Sequence, residues 1–170
     1  MERPSMKSAL VLVLASSMAT LGGCAAARVY PTKGPLAATV PAPIYEAKMT
    51  NRGSSGKFST MINGEKFAAP WHQVPRRNDP TSNPPVVVDP GNLAPEWDEI
   101  YGQGFYNNVV LPAHFYLRSE AVGNRGTRLV VEMYGNQKRP VEDPKIELVL
   151  KGVAKDDHGN TFKILFRGMS

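Results

Sequence analysis

The chain has 170 residues, with 20 basic and 15 acidic side chains, a formal charge of +5 and a single cysteine. A length near 150 residues suits one domain, which buries roughly 68–70% of its unfolded surface without covalent staples. A hydrophobic share of 42% against 21% charged excludes a wholly disordered or collagen-like chain, and one cysteine excludes an intramolecular disulfide framework and a Cys-rich zinc site.

Positions 9–21 (ALVLVLASSMATL) are apolar and follow Arg3 and Lys7. The stretch is shorter than the about 20 apolar residues of a membrane-spanning helix. Basic, then apolar, then small, it reads as a secretory signal. It closes on Leu21-Gly22-Gly23-Cys24. This junction resembles the lipobox of bacterial lipoproteins. The resemblance implies that residues 1–23 are a signal peptide cut just before Cys24, whose sulfur carries a diacylglycerol and whose new amino group is acylated. A thiolate is the side chain nucleophilic enough for that thioether at neutral pH. Each buried methylene adds about 0.8 kcal/mol, so several acyl chains anchor far more firmly than one. Ala25 stands where an aspartate would retain a Gram-negative lipoprotein in the inner membrane, so the resemblance points to the outer membrane, facing the periplasm. Loss of Arg3, Lys7 and Glu2 leaves 18 basic and 14 acidic side chains, dispersed along the chain. With no basic stripe and no recognition motif, nucleic acid is not an expected partner.

Positions 25–43 (AAARVYPTKGPLAATVPAP) are small and punctuated by Pro and Gly. They predict a flexible tether over 24–43, with Val29-Tyr30 at most laid on the domain as an edge strand, and a single β domain over 44–170. From there the hydrophobic pattern has period two. Lys57 to Phe67 contains Asn63-Gly64, a strong hairpin signal between alternating residues. A loop with seven of the fifteen prolines follows over 70–95. Asn92 to Tyr101 predicts a short helix ending at Gly102, with Trp97 and Ile100 inward. Residues 104–111 and 113–119 read as strands separated by Pro112. Thr127 to Tyr134 aligns Leu129, Val131 and Met133 on one face. Lys145 to Leu150 aligns Ile146, Leu148 and Leu150, and Thr161 to Phe166 aligns Phe162, Ile164 and Phe166. Asp156 to Asn160 between the last two is turn composition. The fold class expected is all-β, a small antiparallel sandwich or partly closed barrel of six to eight strands with one long Pro-rich loop.

Three fragments in order, Tyr30 to Leu36, Gly64 to Trp71 and Gly152 to Phe162, together resemble a group of small bacterial lipoproteins with G-E-x-C-x-G-x-W and G-x-C-x-D-x-x-G-x-x-Y motifs. Phe67 and Ala154 stand where that group has cysteines. The resemblance implies that a large and a small side chain replace a covalent link and pack side by side, with Cβ atoms within about 8 Å. It brings no activity with it.

The chemistry-bearing residues are sparse. His72, His114 and His158 lack zinc spacing. Asp156, Asp157 and Asn160 supply oxygens but not the register of a calcium loop. Asp89, Glu96, Asp98 and Glu99 form the densest acidic group, which reads as a solvated face rather than a general acid–base pair. No nucleophile elbow or phosphate-cradling loop occurs, so no enzyme, cofactor or metal site is expected. Trp71-His72 followed by Arg76 and Arg77 is the candidate interaction surface, since Trp and Arg are enriched at binding hot spots; Trp71 as a core anchor at the start of the loop is the simpler reading. The expected function is a lipid-anchored envelope protein with a structural or protein-interaction role and an envelope protein partner. The alternatives are a small-ligand or metal-binding periplasmic module, and an envelope hydrolase working through Glu96, Asp98 or Glu99.

Overall fold

The computed structural model describes residues 24–52, 55–74, 92–113, 115–135 and 150–166. Eight strands account for most of them: β1 (Cys24–Lys33), β2 (Tyr45–Arg52), β3 (Ser55–Ile62), β4 (Glu65–Gln73), β5 (Phe115–Val122), β6 (Arg128–Gly135), β7 (Leu150–Asp156) and β8 (Thr161–Phe166). Each pairs antiparallel with its neighbour in sequence, and β8 pairs back onto β1, so the sheet is a closed barrel. The fold is all-β, and closure removes the open edges that a sandwich would have to protect.

Alternation fills the interior. Phe58 and Ile62 from β3, Phe67, Ala69 and Trp71 from β4, Leu129, Val131 and Met133 from β6, and Phe162 and Ile164 from β8 form one buried cluster. The Asn63-Gly64 hairpin is as expected, with both residues at positive φ, 48° and 74°, the combination a tight two-residue turn requires. The β7–β8 hairpin over Asp156 to Asn160 also matches, as does the inward face of Thr161 to Phe166 apart from half-buried Phe166. Phe67 and Ala154 both enter the barrel and join the same cluster, from strands that are not hydrogen-bonded to one another.

The expected tether is corrected. Residues 24–33 are strand β1, which pairs with β2 from Cys24↔Thr50 to Val29↔Tyr45 and with β8 from Ala27↔Phe166 to Lys33↔Thr161. The barrel therefore includes residues 24–33 and does not start near Ile44. Ala25, Ala27 and Val29 point inward and are buried. The physical reason is volume: the barrel centre is already occupied by phenylalanines and methionines, so the closing strand contributes small side chains.

Outside the barrel lies a second apolar layer. Helix α1 (Ala94–Tyr101) and a single wide helical turn, α2 (Tyr106–Val110), cover the outer face of β5, β6 and β7. Trp97 is fully buried there, and Gly102 ends the helix as expected. The strand expected over 104–111 is α2 instead. Tyr106 and Val110, four residues apart, bury one face, and the Asp98 carboxylate accepts from the backbone N–H of Gly104 (3.1 Å) and Tyr106 (2.9 Å). Packing and capping override the β propensity of these residues. Of the strand expected over 145–150, positions 145–149 lie outside the described residues; β7 runs from Leu150 to Asp156. Among the described residues no helix is long and apolar enough to cross a membrane.

Candidate functional site

The meander sends alternate strand ends to opposite ends of the barrel. One end gathers Cys24, the β2–β3 connection, Gln73, Phe115, Gly135, Leu150 and Phe166; the other gathers the β1–β2 connection and the turns at 63–64, 123–127 and 157–160. Each end holds one candidate.

At the first end, Cys24 is exposed with a free thiol, at the first position of β1. Residues 1–23, Leu21-Gly22-Gly23 among them, lie outside the described residues. Trp71, on β4 near this end, is corrected as a surface residue: it is 4% exposed, inside the barrel, and its indole Nε1–H donates to Thr50 O (2.9 Å). Its ring lies across Gly56, where any Cβ would overlap the indole and Thr50 O, so glycine is the residue that admits it. His72 points outward on β4 and is exposed, with its backbone paired to Arg118. Arg76 and Arg77 lie outside the described residues, as do Asp89 and His114.

At the other end is a cavity of about 390 Å³, floored by Leu36, Ile62 and Phe67 and rimmed by Glu65, Arg125, Thr127, Asp156, His158 and Asn160. Its two carboxylates are held by the turns. Glu65 accepts from Arg125 N (2.9 Å), Thr127 N (3.2 Å) and Thr127 Oγ1 (2.7 Å). Burial pushes the Glu65 carboxyl up, but these hydrogen bonds and the Arg125 charge outweigh it and hold the group below its ordinary value. Asp156 accepts from His158 N (3.0 Å), Asn160 N and Asn160 Nδ2 (both 2.8 Å). The Arg125 guanidinium donates to Asn63 O. The cavity thus offers apolar walls, with exposed Arg125 and His158 at the rim.

The acidic group is dispersed. Glu96 pairs with Lys155 (2.6 Å), Asp98 caps α2, and Glu99 pairs with Lys33 (3.1 Å) at the surface. Each carboxylate has a structural partner. Among the described residues no three His, Cys, Asp or Glu side chains converge as metal ligands.

Sequence reasoning missed one buried network. Glu132 is fully buried on the outer face of β6, where Oε1 accepts from Leu93 N (3.0 Å) and Oε2 from Trp97 Nε1 (2.9 Å). Arg118 Nη1 lies 3.7 Å from Oε1, and Tyr106 Oη lies 3.4 Å from Tyr116 Oη beside it. Burial raises the Glu132 carboxyl above its ordinary value against the pull of these donors. Burial, then the Glu132 charge, raises the Tyr116 phenol. The missed signal was parity: Glu65 shares the inward phase of Phe67, Ala69 and Trp71, and Glu132 lies between Val130 and Tyr134 on a face the helices cover. No family model, curated protein or solved structure matches the chain.

Proposed function

We propose that the protein is a lipid-anchored envelope lipoprotein whose barrel has a structural or protein-interaction role. One observation carries this reading: the chain's only cysteine follows Leu21-Gly22-Gly23 directly, behind a basic and apolar leader, and is exposed on strand β1. Acylation there confines the barrel to a surface and raises its effective concentration for neighbouring envelope proteins. Detergent phase partitioning of cell envelopes tests it. The wild type is expected in the detergent phase, and a chain starting at Ala25 behind an ordinary cleaved signal in the aqueous phase; a wild type that stays aqueous refutes the anchor.

The 390 Å³ cavity supports a second reading, a binding module for a small, largely apolar ligand, because it falls within the about 300–1,000 Å³ of ligand sites. A ligand that raises the melting temperature of the wild type but not of Leu36→Trp, which fills the cavity floor, would favour it. Equal shifts in both would count against it.

A further inference from the structure

The outer wall of the barrel divides by charge around its circumference. Helices α1 and α2 cover β5, β6 and β7. On the remaining arc, β8–β1–β2–β3–β4, the outward positions carry Lys163, Arg28, Lys48, Lys57 and Lys66, all exposed except half-buried Lys163. Among the described residues none of these forms an ion pair. Glu46 is the acidic side chain described on this arc. Glu96, Asp98, Glu99, Glu120 and Glu132 all belong to the helical layer or the strands beneath it. In the ring of strands β6 lies directly opposite β2, so a basic wall backs an acidic one.

Cys24 lies on the basic wall. It shares the exposed, outward phase of Ala26 and Arg28, pairs with Thr50, and Thr50 pairs with Lys57. At about 4.8 Å per strand and 3.3 Å per residue, Lys57 and Arg28 stand within about 13 Å of Cys24. We infer that the barrel lies side-on against an anionic lipid surface, its β8–β1–β2–β3 wall toward the headgroups and its helical layer toward water; this rests on Cys24 being acylated. Acyl chains on an outward side chain draw a wall, not an end, to the lipid, and Arg28, Lys48 and Lys57 then come within a Debye length of anionic headgroups. Met61 is exposed on the same wall, and Val40 and Ile44 are exposed in the connection joining β1 to β2. The barrel axis then runs along the bilayer, the cavity opens sideways, and the acid-bearing helical layer is the face an envelope partner meets.

The single cysteine makes the test direct. In the acylated protein purified from cell envelopes the Cys24 sulfur is a thioether, so wild type is expected to take no maleimide, and an introduced cysteine labels alone. Ser59→Cys on the wall and Asn107→Cys, exposed on α2, carry a fluorophore. The labelled proteins are reconstituted in phosphatidylethanolamine–phosphatidylglycerol vesicles bearing a nitroxide headgroup quencher. Several-fold stronger quenching at 59 than at 107 is expected, with the contrast shrinking in phosphatidylcholine vesicles. An end-on barrel would hold the two labels at similar depth, so equal quenching, or the opposite order, in protein that floats with the vesicles overturns the seating and leaves the anchor standing. A contrast undiminished in phosphatidylcholine overturns the role given to the basic side chains. Wild type that labels at Cys24 and fails to float overturns anchor and seating together. Ala68→Cys, exposed on β4 of the same wall, replaces Ser59→Cys if that variant fails to fold.

Discussion

Glu132 links the helical layer to the barrel, and its removal should be felt there first. Glu132→Ala leaves the Leu93 N–H and the Trp97 indole N–H without acceptors in a fully buried site, and takes a carboxylate from beside the Arg118 guanidinium. An orphaned buried donor costs about 1–3 kcal/mol, and breaking a buried charge pair about 3–5 kcal/mol. These overlap, because Arg118 keeps its contact with Glu120 at 2.9 Å. A loss of about 4 kcal/mol is therefore expected, a large part of a total of about 5–15 kcal/mol. Glu132→Gln keeps the shape and one acceptor but turns an amide toward a donor, so it should fall between wild type and Ala. The assay is urea unfolding followed by tryptophan emission and by far-UV circular dichroism. Both tryptophans are buried, and release of α1 exposes Trp97. In Glu132→Ala the emission should shift red before the barrel signal is lost, since the interior cluster contains neither Glu132 nor Trp97. A midpoint for Glu132→Ala within about 1 kcal/mol of wild type, below the cost of one orphaned donor, would refute this account of how the layer is held. So would Gln proving worse than Ala.

Deleting residues 25–33 removes the strand that closes the barrel, and with it the β1–β2 and β1–β8 ladders. Loss of the cooperative thermal transition by circular dichroism is expected, whereas a tether would be dispensable; an unchanged transition would contradict the assignment of β1. The Glu65 carboxyl is held below its ordinary value, so its contribution to stability is present above the unfolded value, about 4.3, and is lost as pH falls through the folded one. Urea midpoints at pH 7 and pH 3 check this: Glu65→Gln should be less stable than wild type at pH 7, with the difference shrinking at pH 3. Glu132 has the opposite sign. Its raised carboxyl favours the fold below the unfolded value and loses that contribution as pH rises through the folded one, so the pH-dependent gap between wild type and Glu132→Gln should widen towards acid.

Much of the barrel was legible because its signals are local. Asn63-Gly64 sets its own turn, and Leu129, Val131 and Met133 alternate within one strand. Trp97 and the terminal Gly102 mark α1. The core-anchor reading of Trp71 matches its place in the barrel. What was hidden depends on partners distant in sequence. Ala25 and Ala27 look like linker until the bulk of Phe58 and Phe162 opposite them is known. Tyr106 to Val110 looks like strand until Asp98 caps it. Glu65 and Glu132 look like surface carboxylates until turns and helices close over them. The cavity was equally illegible, because four separate connections build its rim. Leu21-Gly22-Gly23-Cys24, on which the proposed anchor rests, is read from sequence alone, and the structure adds where Cys24 lies on the barrel.

The central claim is that Cys24 carries the anchor, and the most direct measurement is intact and peptide mass spectrometry of the protein purified from cell envelopes, beside Cys24→Ala. The account predicts a mature chain beginning at Cys24, with diacylglyceryl and N-acyl additions on that residue, and neither the cut nor the additions in the variant. An unmodified Cys24 in the wild type would contradict it.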